Sequence, residues 1–133
     1  MGARRAAFVA LVMGAAACGG GGTSATAPTL ADSNGDLINR GGTVAASAGC
    51  TGCHSLDGIV IVGPSWQGLF GSEEELADGS SVVVDEAYLR LAILDPERRI
   101  VAGFAAGVMP QNYEDTLSAE DIEALIALIR SLA

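Results

Sequence analysis

The chain has 133 residues, with 7 basic against 16 acidic side chains, a formal net charge of −9, and half of its residues hydrophobic. That allows one small domain with a tail and excludes a disordered acidic chain. Every basic residue is an arginine, and with no basic face a phosphate-backbone binder is excluded, so nucleic acid is not an expected partner. Aromatic residues make up only 5% of the chain, too few to fill a core of ordinary size, and something other than side chains is expected to fill part of it.

Residues 1–17 read as an export signal, with Arg4 and Arg5 followed by an apolar run too short to span a bilayer. The run ends in Gly14-Ala15-Ala16-Ala17-Cys18, which resembles a bacterial lipoprotein box, although Ala15 stands where that motif usually has leucine. The resemblance implies lipidation of Cys18. Ordinary cleavage after the alanines would instead leave Cys18 as a spare thiol. Residues 18–31, rich in Gly, Ser, Thr and Ala and without an apolar period, predict a flexible linker with a reach on the order of 20 Å. A single domain is expected over 32–133.

Within that domain, residues 36–48 predict a first helix, despite the propensity lost at Gly41 and Gly42. Residues 73–76 and 81–84 flank an Asp78-Gly79 turn and predict a small hairpin, with Glu73, Glu74 and Glu75 as a solvated edge. Residues 85–94 predict a helix capped by Asp85 and stopped before Pro96. Residues 117–132 predict the last helix. Ser118 is its N-cap, Asp121 completes a box-like arrangement, and Leu117 with Ile122 forms a hydrophobic staple.

The chemistry is concentrated in Cys50-Thr51-Gly52-Cys53-His54, a C-x-x-C-H run. This is the attachment sequence of haem c: two thiols add across the vinyl groups and the adjacent imidazole ligates iron. Three other readings use the same residues. A thioredoxin-like redox pair would need a βαβ context. A disulfide between cysteines three apart is geometrically awkward. A Cys₃His zinc site would have to recruit Cys18 from the export signal.

Counting then narrows the second axial ligand. His54 is the sole histidine and there is no lysine, so bis-histidine ligation and a second haem are excluded. Met1 and Met13 leave with the signal, which makes Met109, in Val108-Met109-Pro110, the one remaining methionine. A lone methionine is often a core filler, but a following proline stiffens a loop that presents the thioether to iron. His/Met ligation raises the reduction potential and suits electron transfer better than substrate binding.

From residue 32 to the C-terminus the chain resembles class I cytochromes c, through Gly49 and the C-x-x-C-H, Gly63-Pro64, Val108-Met109-Pro110 and the final helix. More closely it is similar to the cytochrome c domain fused to some bacterial oxidase subunits II, in the stretches 49–57, 62–71, 76–80 and 85–89, without that protein's membrane helices or copper site. The resemblance implies an all-α fold of three to four helices around one covalent haem, with a small β-hairpin insertion. It implies that the Pro64 carbonyl holds His54, and that the first and last helices cross through a small residue and an aromatic pair. Here those aromatic positions fall on Ala45 or Ala46 and on Leu128, so aliphatic packing by Val44, Leu125, Leu128 and Ile129 is expected instead. Cys50, Cys53, His54, Pro64, Trp66, Leu69, Arg98 and Met109 are the expected haem-binding residues, with His54 and Met109 on the metal. Phe70, Ile93 and Phe104 are either pocket or ordinary core. One of Arg98 and Arg99, or Tyr113, could pair with a propionate, or both arginines are solvated.

The expected function is a monohaem electron carrier of a bacterial respiratory chain, exported to the periplasm and membrane-anchored if Cys18 is lipidated. It docks transiently on redox protein partners and does no chemistry on a small-molecule substrate. A fixed subunit of a quinol-oxidising or oxidase complex is the alternative, and a gas-binding haem protein is a third reading.

Overall fold

The computed structural model describes residues 30–133. The expected export signal, Cys18 and all but the last two residues of the expected linker lie outside them. The fold is built on a helix crossing. Helix α1 (Leu30–Ser47) packs against the C-terminal helix α4 (Ala119–Ser131), and α2 (Glu86–Leu94) lies against α4. A two-stranded antiparallel hairpin, β1 (Glu73–Glu75) and β2 (Ser81–Val83), precedes α2, and a single turn, α3 (Tyr113–Thr116), precedes α4.

Helix α1 begins six residues before the expected start, taking in Leu30 and Ala31 from the expected linker. No proline interrupts 30–35, and Gly35 has open space around it, so the helix continues there with only a propensity cost. At the crossing the backbones come unusually close: a Cβ on Gly41 would lie 2.2 Å from the Ala124 carbonyl oxygen and 2.8 Å from Leu128 Cβ. Val44, Ala45, Leu125, Leu128 and Ile129 are buried around that contact. Aliphatic side chains therefore close the crossing once a hydrogen atom replaces the side chain at its centre.

The hairpin turn closes through Asp78, whose Oδ1 accepts from Ser80 N at 2.9 Å and Ser80 Oγ at 2.6 Å. Strand register pairs Glu73 with Val83, Glu74 with Val82 and Glu75 with Ser81. The other edge of β1 is occupied too. Ala77 N donates to Ile100 O and Ala102 N to Glu75 O, each at 2.8 Å, with Leu76 opposite Val101. The hairpin thereby fastens the segment that leads to Met109.

Helix α2 starts where Asp85 accepts from Tyr88 N at 2.7 Å. Helix α4 starts in a full capping box: Ser118 Oγ accepts from Asp121 N at 3.2 Å, and Asp121 Oδ2 accepts from Ser118 N at 3.1 Å. Arg40 Nη2 of α1 donates to Asp121 Oδ1 at 2.8 Å, so the capping carboxylate also ties the two crossing helices. Arg130 and Glu86, and Arg90 and Glu123, pair α4 with α2 across exposed surface.

The cap yields a direct expectation. Ser118→Ala should lower stability by about 1 kcal/mol in urea unfolding. The hydrogen bonds from Arg40 and Ser118 hold the Asp121 carboxyl below its ordinary 3.8. A depressed folded pKa means stability that is present above 3.8 and is lost as pH falls through the lowered folded value. The stability difference between the wild type and Asp121→Asn should therefore be constant at neutral pH and shrink only below about pH 4.

Candidate functional site

Between Ser47 and the hairpin the chain has no helix or strand beyond a single 3₁₀ turn. The C-x-x-C-H run is wound as a 3₁₀ turn, Cys50–Gly52, with Cys53 N donating to Cys50 O at 3.1 Å and His54 N to the same oxygen at 2.9 Å. Residues three apart eclipse in such a turn, so both thiols face one side. That side is the wall of an open cleft of about 320 Å³, which Cys50, Cys53 and His54 line together. Both thiols are free, and burial pushes the Cys50 thiol above its ordinary value.

Residues 62–64 run alongside the turn, held by Val62 N and Gly63 N, which both donate to Cys53 O at 3.3 and 2.9 Å. They fix the imidazole. His54 Nδ1 stands 2.8 Å from the Pro64 carbonyl oxygen, which can only accept, so Nδ1 carries the proton and Nε2 keeps its lone pair free. Burial lowers the pKa of His54 and the bond to Pro64 opposes this, a balance that leaves the ring neutral at pH 7. The ring also packs on bare backbone: a Cβ on Gly63 would lie 2.5 Å from His54 Cε1. Trp66 stacks with the imidazole, with ring centroids 5.4 Å apart and planes 23° apart.

The rest of the cleft comes from elsewhere in the chain. Tyr88 and Ala92 of α2, Ile100 and Val101 beside the hairpin, and Phe104, Val108 and Met109 supply largely apolar walls. Tyr113 closes one end, buried, with its hydroxyl donating to Ala48 O at 3.2 Å. Charge is confined to Glu97 and Arg99. Val62 and Val108, which line the cleft, are exposed, and the chain just before Val62 is exposed and apolar as well: Ile59 is 64% and Val60 62% exposed, with Leu56 and Ile61 also exposed.

Of the residues singled out in the sequence, Cys50, Cys53, His54, Pro64 and Met109 meet on this cleft. Trp66 reaches it only through the imidazole it stacks on. Leu69 and Arg98 do not line it: Leu69 is buried in the helical core, and it is Arg99, the next residue along the exposed turn after α2, that lies at the cleft. Phe104 is a wall residue, Ile93 belongs to the core, and Phe70 is half-buried with the Arg130 guanidinium over its ring at 5.4 Å.

The donor set selects among the chemistries of a C-x-x-C-H. Among the described residues the only sheet is a two-stranded antiparallel hairpin, which lacks the βαβ setting of a thioredoxin-like pair. Among the described residues no three of His, Cys, Asp and Glu converge as a metal site, and Cys18 lies outside them. Two thiols on one wall, a neutral imidazole with a free Nε2, a thioether in the same cleft and apolar walls are what a flat covalent haem requires, with the axial donors at hand. The family model for cytochrome c matches residues 38–133. No curated protein matches the chain.

Proposed function

We propose that this chain, which belongs to the cytochrome c family and is thereby a c-type electron carrier with covalently bound haem, is a monohaem, His/Met-ligated carrier of a bacterial respiratory chain. The observation that carries the reading is His54, held on Pro64 O at 2.8 Å in a cleft that also holds both cysteines and Met109. Cys50 and Cys53 would hold the haem as thioethers, and His54 Nε2 and Met109 Sδ would ligate its iron. Bound there, the group supplies a one-electron ferric/ferrous couple.

The chain's own residues do the rest. Pro64, Gly63 and Trp66 keep the imidazole from rotating, so the ligand geometry need not change when an electron arrives. The thioether of Met109 is a soft donor that would favour the ferrous state and would compete with an exogenous ligand for the iron. Apolar walls around the cleft keep water from the iron and add to the preference for the less charged oxidation state.

The exposed apolar residues 56, 59–62 and 108, two of which line the cleft, support brief docking on a redox partner through a small interface. Export through residues 1–17, anchoring by lipid on Cys18 and a periplasmic location complete the proposal. Among the described residues no helix is long and apolar enough to cross a membrane. Expressed with haem c maturation, the full chain should retain one haem per polypeptide after denaturation, by mass spectrometry. It should give a low-spin spectrum with the near-infrared methionine band when ferric, and bind no carbon monoxide when ferrous. A chain without covalent haem would overturn the reading from Cys50 onward. Covalent haem that takes up carbon monoxide readily would replace the carrier by a gas-binding protein.

A further inference from the structure

Among the described residues, the segment that carries Met109 is hydrogen-bonded to the rest of the molecule through one side chain. Glu97 Oε1 accepts from Gly107 N at 2.7 Å and, at a longer 3.4 Å, from Gln111 Nε2. Gln111 Nε2 in turn donates to the Met109 carbonyl oxygen at 2.9 Å. Gly107 precedes Met109 by two positions and Gln111 follows it by two, so a single carboxylate oxygen reaches both sides of the methionine. Among the described residues, Glu97 is the only group outside residues 105–111 with which that stretch makes a hydrogen bond.

Glu97 is itself well placed to act as an anchor. It follows the buried Pro96 just beyond the end of α2, in a turn closed by Arg98 N on Asp95 O at 3.0 Å. Three residues later the chain enters the ladder with β1. A carboxylate accepts from backbone N–H more strongly than a neutral oxygen does, and a functional side chain on a loop is held only as well as the loop's own supports.

We propose that Glu97 is a positioning residue for Met109: through Gly107 and Gln111 it holds the thioether where it would ligate the haem iron, and so sets how readily that bond opens. The inference rests on Met109 as the axial ligand. Without Glu97 the stretch 105–111 keeps its apolar contacts in the cleft and loses its polar tie, so open forms of the loop gain population and external ligands compete better for the iron.

The test is an imidazole titration of the ferric haem-loaded protein, followed by loss of the near-infrared methionine band, for the wild type, Glu97→Ala and Glu97→Gln. Glu97→Ala should bind imidazole about tenfold more tightly, the change expected for loss of one charge-assisted hydrogen bond. Glu97→Gln, which keeps an acceptor oxygen, should fall between the two. In the same samples hydrogen exchange of the Gly107 amide should accelerate in Glu97→Ala while the amides of α4 do not change. A wild-type band with equal imidazole affinity in all three proteins would overturn the role of Glu97 and leave the ligation intact. A wild type without the band would overturn the ligation itself, and this inference with it.

Discussion

Alanine at position 41 should destabilise the protein by about 3 kcal/mol, whereas alanine at position 42 should stabilise it by about 0.5–1 kcal/mol. The two glycines are adjacent in one helix and lose the same conformational entropy on folding, so local propensity predicts the same gain at both. Packing separates them. A Cβ at 41 meets the Ala124 carbonyl oxygen at 2.2 Å, and that oxygen belongs to helix backbone, which cannot swing aside; a Cβ at 42 meets nothing within 4 Å. To admit the methyl group at 41, α1 and α4 must separate, opening the layer of Val44, Leu125, Leu128 and Ile129. Urea unfolding of the haem-loaded proteins at one wavelength, with equal slopes, reads both changes. Equal effects at the two positions would mean that the crossing is not as close as the structure has it.

The same pair shows where sequence reading stopped. Gly41 and Gly42 look alike in a one-dimensional pattern, where both simply weaken a helix; only the partner, 83 residues away at Ala124, gives one of them a purpose. Features that depend on neighbours in sequence were legible. The Ser118 box, the Asp85 cap, the Asp78-Gly79 turn and the wound C-x-x-C-H all stand where their local chemistry places them. Features that depend on distant neighbours were legible only where the resemblance supplied them, as for the aliphatic crossing of α1 and α4. The third segment beside β1, at Val101, carries no strand signal of its own, since it is paired by the edge it meets. Tyr113–Thr116 is too short a helix for a period to register. Arg98 and Arg99 differ only in which way the turn after α2 presents them, and Leu69 is apolar in a manner that suits the core as well as the cleft. The site was legible as donors and, through the resemblance, in one support, the Pro64 carbonyl; thiols, imidazole and thioether are rare enough to count, whereas the packing of Gly63 on the imidazole and the tie made by Glu97 arise only from what those residues touch.

Met109→Ala should abolish the near-infrared band, leave the ferrous haem open to carbon monoxide, and lower the reduction potential by on the order of 100 mV, within the ~0.8 V that axial ligation spans. The reasoning is one of elimination joined to geometry. Met1 and Met13 are the only other methionines, both inside the stretch read as an export signal, and the chain has neither lysine nor a second histidine to replace the lost donor. Met109 is half-buried on the cleft that His54 lines, so its truncation opens space beside the site and exposes little core. Far-ultraviolet circular dichroism should therefore be unchanged, since α1, α2 and α4 pack without it. External imidazole should restore a low-spin spectrum without the methionine band, because it supplies a donor where the thioether was. Met109→His separates donor strength from mere occupancy: it should keep the haem low-spin and closed to carbon monoxide, yet still lack the band and poise the couple below the wild type, since imidazole favours the ferrous state less than a thioether does. A band that survived Met109→Ala would require a thioether from the export signal to reach the iron, and would overturn both the assignment of that signal and the role of the Val108-Met109-Pro110 loop.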